Sequence, residues 1–530
     1  MLPFLKIRIE YAVFGLSMAL LLWSAPGIGH YLSAYDPNFQ LCLGRQVLFD
    51  KFPCVGLFTY YGPMVAFTSA AGLALWNCVV PEVVICAIGY SAALTLVFAL
   101  GRRVVPRPVL AEVLGLALAV ICFLFLARFH KWYYWLFPLI VLYCFSRFLE
   151  SDGTGRRWII LTGISAGIGW LYRFEIGLVC TCAIAAALLA MAAKSSDWTG
   201  LPRRLSLYLG ALAAVMALWF IALVSVGGFS AARDYLVATF VGGAGTLQYW
   251  AIPIPRFNRT APFSQDSSHA IACYLLIFTY VVALPWAVWQ VRACTEPEIP
   301  KRVFTLLVAL VGTGLLPQGL YRADISHFLQ VLPLMLLTAC FLVTQIWEAA
   351  SSIRTRMVSV AARSGLILYI VLIFAAFKGI APSGRSDMGP FAWDIAGKYC
   401  GLAKGVEALP EHPVSRLVTK IRELTPANTP ILVPIEYMPQ ILSWAERPMS
   451  GILPIYCRGM LDSLEWRVRN FKAVEADPPE IVVVEPGMFA PDADPQSVCR
   501  RNPELCKIIS THYSRVVYRQ GDEYIILARD

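Results

Sequence analysis

Residues 63–76 read PMVAFTSAAGLALW, and whether this short apolar stretch crosses a membrane decides the arrangement of everything after it. It is shorter than the roughly 20 residues that a hydrocarbon core of about 30 Å demands, and it carries Thr68, Ser69 and several small residues. The basic residues around it settle the question. Lys6 and Arg8 suggest that the N-terminus lies inside. If 63–76 does not cross, the inner loops hold Arg102, Arg103 and Arg107; Arg147, Arg156 and Arg157; Lys194, Arg203 and Arg204; Arg292, Lys301 and Arg302; and Arg354, Arg356 and Arg363. Lys- and Arg-rich inner loops are what membrane insertion selects. If the stretch crosses, every one of these clusters turns outward. Residues 63–76 therefore read as a juxtamembrane or re-entrant helix, a form tolerated where protein or a wet cavity surrounds it.

Working outward, about eleven apolar runs are long enough to span: near 11–29, 82–100, 109–126, 132–146, 158–172, 176–193, 205–228, 270–291, 303–320, 327–346 and 364–381. They are continuously apolar rather than alternating, which favours helices over a β-barrel. Composition agrees: 58% of residues are hydrophobic and only 15% charged, against roughly 25% charged in soluble chains. The net charge of +10 invites a nucleic-acid reading. The cations sit at the ends of apolar runs, where they orient helices, so the partner they imply is a lipid bilayer and no nucleic acid. Fifteen cysteines form no CxxC pair, and most lie inside apolar runs, as Cys86, Cys122, Cys144, Cys180, Cys182 and Cys273 do; they read as small buried hydrophobes. The first run lacks a small-residue cleavage site and reads as a retained helix.

The expected fold is mainly α: a polytopic transmembrane bundle of about eleven spans plus a juxtamembrane helix, with a small C-terminal soluble α/β domain. The division falls at 1–384 for the membrane domain and 385–530 for the soluble one. In the latter, charge rises and short β-type runs appear at 431–435, 481–485, 515–518 and 524–527, the last two flanking a turn at 519–523. Helices are expected near 412–424 and 461–473. Cys499 and Cys506 are close enough in sequence to pair in an oxidising compartment, and Cys42 with Cys54 raises the same question.

On this topology the polar residues at helix ends collect on the outer face. Asp36, just past the first run, reads as a general base or a divalent-cation ligand, or as a helix N-cap before Pro37. Arg173 and Glu175 share a very short outer turn. They read either as an anion-binding fork or as an ion pair that closes the turn. Arg128, His130 and Lys131 form a basic cluster that could meet lipid headgroups. Arg322, Asp324 and His327 form a third constellation near the membrane surface.

In order along the chain, the motifs are Asp36, then Gly44 and Pro53, then Tyr61-Gly62-Pro63, then YRFEIG at 172–177 and YRADISHFLQVLP at 321–333. The soluble end adds TPILVPIEYMPQILSWAERP from Thr429 and PPEIVVVEP at 478–486. This pattern resembles the GT-C superfamily of integral-membrane glycosyltransferases, which use lipid-linked sugar donors. The resemblance implies a polyprenyl-phosphate sugar donor, a glycan, lipid or protein acceptor, and an active face in the bacterial periplasm with the N-terminus in the cytoplasm. It implies Asp36 as the base, Arg173, Arg322 and Lys131 on the phosphate, with Glu175 beside Arg173, and His327 positioning the donor. Many members carry two adjacent acids in the first loop, whereas Asp36 is followed by Pro37; that departure leaves the metal open, a divalent cation included. Rival readings are a lipid-linked-sugar transporter or flippase, which would show internal repeats and charges at mid-span, and a polysaccharide polymerase or ligase. The polymerase reading would use the 229–269 loop with Arg233, Asp234, Arg256, Arg259 and Asp266.

Overall fold

The computed structural model describes residues 3–59, 61–126, 128–151, 153–237, 239, 253–261, 264–320, 324–352, 356–380, 393–457, 464–489 and 497–530. Every expected span overlaps a helix over its described residues, though 11–29 runs beyond the first helix and 327–346 begins before its own: α1 (Pro3–Ser24), then α2 (Ile28–Ser33), α3 (Tyr35–Leu48), α4 (Pro63–Leu75), α5 (Val80–Gly101), α6 (Pro108–Leu124), α7 (Tyr133–Glu150), α8 (Arg156–Tyr172), α9 (Phe174–Ser195), α10 (Gly200–Val237), α11 (Gln265–Ala293), α12 (Ile299–Leu320), α13 (Leu332–Ser352) and α14 (Arg356–Ile380). Among the described residues, seven helical segments are long and apolar enough to cross a membrane, and four shorter apolar helices accompany them. In hydrocarbon each backbone polar group must find its partner within the segment, which is why these runs are helical. Pro138, Pro285 and Pro317 lie inside α7, α11 and α12. Helix α10 outruns its expected end near residue 228: Gly228 takes φ 69° and the chain resumes its helix to Val237.

By their contacts the chain divides into two units. The first comprises residues 1–23, 86–218 and 251–388, and the second 24–85, 219–250 and 389–530. Within the first, helices approach closely through small residues, as apolar side chains gain little from each other in lipid. A Cβ on Gly115 of α6 would lie 2.7 Å from the Phe98 carbonyl of α5.

The second unit joins the first loop to the C-terminal segment. Its sheet runs β1 (Ile431–Leu432), β2 (Ile481–Val484), β4 (Tyr524–Ala528), β3 (Arg515–Gln520) in spatial order. β1 and β2 are parallel, and the other neighbours are antiparallel. The expected hairpin forms, with Gly521 at φ 54° in its turn. Helices α15 (Ile395–Lys404), α16 (Pro413–Leu424), α17 (Pro439–Ala445), α18 (Leu464–Ala476) and α19 (Pro503–His512) complete it. Proline opens α16, α17 and α19, at the position where a missing N–H costs nothing. Cys499 and Cys506 form a disulfide with Cα atoms 5.4 Å apart, whereas Cys42 and Cys54 are free and buried.

Gly44 has a packing role here. A Cβ on it would lie 2.7 Å from the Ala70 nitrogen, so α3 and α4 cross at backbone distance only because residue 44 has no side chain.

Candidate functional site

Asp36 sits in the first turn of α3, two residues past the N-cap, Ala34. The carboxylate is therefore not the cap. It lies where the helix N-terminus favours negative charge, partly exposed on a helix whose following residues, Pro37 to Gln46, are buried. The Tyr61 hydroxyl donates to its Oδ1 at 3.3 Å. Around them stand rings: Tyr35 and Phe39 stack at 6.2 Å, and Phe39 meets Tyr61 at 5.6 Å.

The frame under Asp36 is polar and buried. Asn38 is wholly buried and donates to the Ala34 carbonyl at 2.6 Å and to that of Tyr31. Ser443 of α17 donates to the Asn38 carbonyl at 3.1 Å, and Trp444 Nε1 to the Tyr31 carbonyl at 3.3 Å. Gln46 gives its amide to the Arg447 carbonyl (3.0 Å) and receives the Met449 N–H (2.8 Å). Arg45 donates to Asn77 and faces Glu446 at 3.5 Å, which also holds Arg422 at 3.0 Å. Burial works against the charge on Arg45, and Glu446 offsets part of that cost.

In the other unit, two sequence clusters become one. Arg128 Nε donates to the Ser326 hydroxyl at 3.0 Å. Ser326 donates to Asp324 Oδ1 at 2.5 Å. Asp324 caps the short helix Ile325–Phe328, accepting the His327 N–H at 2.9 Å, and its carboxylate meets His327 Nδ1 at 2.9 Å. Burial opposes the charge on Asp324, but these donors hold its carboxyl below the usual carboxylate range. His130, Lys131 and His327 are all buried, and Lys131 acts electrostatically on His327. His269 of α11, also buried, feels the charge of Asp324, and its Nε2 has no hydrogen-bond partner among the described residues.

Residues 128–135 carry this cluster toward the Arg173 turn. Trp135 Nε1 donates to the Leu329 carbonyl at 2.9 Å, and the Tyr134 hydroxyl donates to Glu175 Oε1 at 3.1 Å. Arg173 links α8 to α9 and pairs with Glu175 at 2.6 Å, its guanidinium 5.7 Å from the centre of the Tyr134 ring. Tyr133 stacks on Tyr172 at 5.3 Å. The turn-closing pair is therefore real. It is also built into an aromatic wall in which Glu175 Oε2 and the Tyr133 hydroxyl are buried without a partner among the described residues.

Of the expected site residues, Lys131 and His327 come together, Arg173 and Glu175 form a pair, and Asp36 belongs to the second unit. Arg322 lies outside the described residues. Among the described residues no three His, Cys, Asp or Glu side chains converge as metal ligands. Sequence reasoning assigned no role to Ser326, His269, Tyr134 or Gln46. Ordinary polar residues with partners far along the chain leave no local signal.

No protein-family model matches the chain, and no curated protein does. Solved structures similar to it include the oligosaccharyltransferase of Archaeoglobus fulgidus in the apo form, at 13% identity and TM-score 0.44 over 90% of this chain and 70% of that one. ArnT from Cupriavidus metallidurans bound to undecaprenyl phosphate is similar at 13% identity and TM-score 0.41, over 99% and 97%. The same organism's ArnT in the apo state is similar at 14% and 0.43, over 98% of each chain.

Proposed function

We propose that the chain is a membrane glycosyltransferase that moves a sugar from a polyprenyl-phosphate carrier to an acceptor at the outer face of a bacterial inner membrane. The observation that carries the reading is the meeting of Asp36 with Tyr61. These are the two ends of the first-loop pattern on which the resemblance rests, and they present a partly exposed carboxylate on a helix buried from Pro37 to Gln46.

The chemistry needs little else. Asp36 takes the proton of an acceptor hydroxyl. That oxygen bonds to the donor's anomeric carbon, whose bond to the carrier phosphate breaks, the electron pair leaving on the phosphate. Cations must meet the charge that develops there. Lys131, Arg173, Arg322 and His327 are the proposed holders, with Asp324 fixing the His327 ring and Glu175 the Arg173 fork. In this reading residues 1–384 are the membrane domain and 385–530 an outer-face domain. The Cys499–Cys506 disulfide supports an oxidising compartment for the latter.

The test is to incubate the purified full-length protein with a panel of polyprenyl-phosphate sugars and glycan, lipid and peptide acceptors, and to follow the free carrier phosphate. Release that depends on an acceptor is expected with at least one pair. A folded protein that releases none from any pair would overturn the reading.

A further inference from the structure

Tyr437 stands out in the loop between β1 and α17. Its φ is 57°, a left-handed conformation that only glycine adopts without strain. Such strain survives where surrounding structure fixes it, often at functional sites. The fixing structure is visible. Just beyond Tyr437, Ser443 and Trp444 bond to the backbone of residues 38 and 31, and Gln46 clasps the backbone of residues 447 and 449. These bonds lock the loop's flank onto the helix that carries Asp36.

The result is a corner of two rings. Tyr437 and Tyr35 meet edge to face, with centroids 5.3 Å apart and planes at 82°. Both are partly exposed, and Tyr35 immediately precedes Asp36. Next to Tyr437 stands Glu436, near enough to Glu485 for its charge to push that carboxyl's pKa further upward, beyond the effect of partial desolvation. Aromatic faces beside carboxylates suit a pyranose: its C–H faces lie on the rings, and its hydroxyls donate to acids that accept only.

We propose that Tyr35 and Tyr437 receive a pyranose unit of the acceptor beside Asp36, so that the sugar is passed to a glycan-type acceptor. The acceptor role rests on the glycosyltransferase reading, while the carbohydrate site itself does not. Tyr437 grips the ring and Asp36 meets its hydroxyl. The strained backbone holds the tyrosine in place before the acceptor arrives, so less ordering is left to be done on binding.

The test uses the full-length protein in nanodiscs with methyl glucopyranoside, methyl galactopyranoside and methyl mannopyranoside as probes, read by saturation-transfer NMR, and choline as a cationic control. At least one pyranoside should bind the wild type. Tyr437→Phe should keep that binding. Tyr437→Gly, which relieves the backbone and removes the ring, should weaken it about tenfold with melting unchanged. Overturning results are no pyranoside binding by the wild type, equal binding by Tyr437→Gly, or choline competing for the site. If Tyr437→Gly loses binding while no carrier phosphate is ever released, the carbohydrate site stands and the glycosyltransferase reading falls.

Discussion

Two aspartates anchor the two polar clusters, and their neighbours treat them in opposite ways. Asp324 is satisfied locally, by Ser326 and His327 within its own short helix, and its carboxyl is held below the usual range. Asp36 is placed from afar: its tyrosine donor is 25 residues on, and its helix is held by the backbone of residues 447 and 449. A carboxylate saturated by local donors is a poor proton acceptor and a good orienting group. One at the exposed end of a buried frame can take up a proton. The company each keeps also differs: Arg128 bonds to Ser326 beside Asp324, and Lys131 acts on His327, whereas a tyrosine hydroxyl donates to Asp36, and Glu436 and Glu485 stand beyond Tyr437.

The largest expected effect breaks this contrast directly. Asp36→Asn should lower carrier-phosphate release about 100-fold or more, because an amide cannot take the acceptor's proton, while the melting curve stays where it is. Asp324→Ala should act on the fold. It removes an N-cap and the acceptor of a buried imidazole, and should cost about 2 kcal/mol of stability. Thermal melting followed by tryptophan fluorescence would show it. Equal melting losses from both substitutions would erase the distinction between a reactive and an orienting acid.

Much of this architecture was legible along the chain, and the reason is solvent. Each apolar run from 11–29 to 364–381 must satisfy its own backbone, so composition alone implies a helix, and each run is largely helical over its described residues. The hairpin around Gly521 was legible because its turn is local. The union of residues 128–131 with 324–327 was not, since nothing at Arg128 announces a serine at 326. The pairing of β1 with β2, and the clasp of Gln46 on residues 447 and 449, were hidden for the same reason. Asp36 beside Pro37 suggested a cap, but the helix begins earlier, at Tyr35.

The next prediction sharpens the cationic side. Arg173 and Glu175 are only partly exposed, 18% each, and their pair is reinforced by Tyr134. If the fork holds the carrier phosphate, Arg173→Lys should weaken donor use about tenfold, since an ammonium cannot reproduce two-pronged contact. Glu175→Gln should do so much less, with expression unchanged in both. Donor KM measured on each variant decides it. Full activity in the double variant would show that the pair only closes the turn between α8 and α9.

The smallest effect concerns an acid treated in a third way. Glu485 follows β2 and is exposed, but partial desolvation of its carboxyl beside the strand end, together with the charge of Glu436, raises its pKa; Tyr524 of β4 feels its charge in turn. Its folded state thus binds the proton more tightly than the unfolded chain does. The stabilising contribution is fullest below the ordinary glutamate range and is lost as pH rises from there through the raised value. Glu485→Gln removes a charge the fold does not favour, so the variant should match wild type in acid and be the more stable of the two near neutral pH. Hydrogen–deuterium exchange at the amides of 481–484 reads this locally, without requiring the whole chain to melt as one unit. Slower exchange in the variant at neutral pH, merging with wild type as pH falls, is the expected pattern. Slower exchange in wild type at neutral pH would mean that Glu485 accepts a stabilising donor there, and the acidic character assigned to this corner would then be wrong.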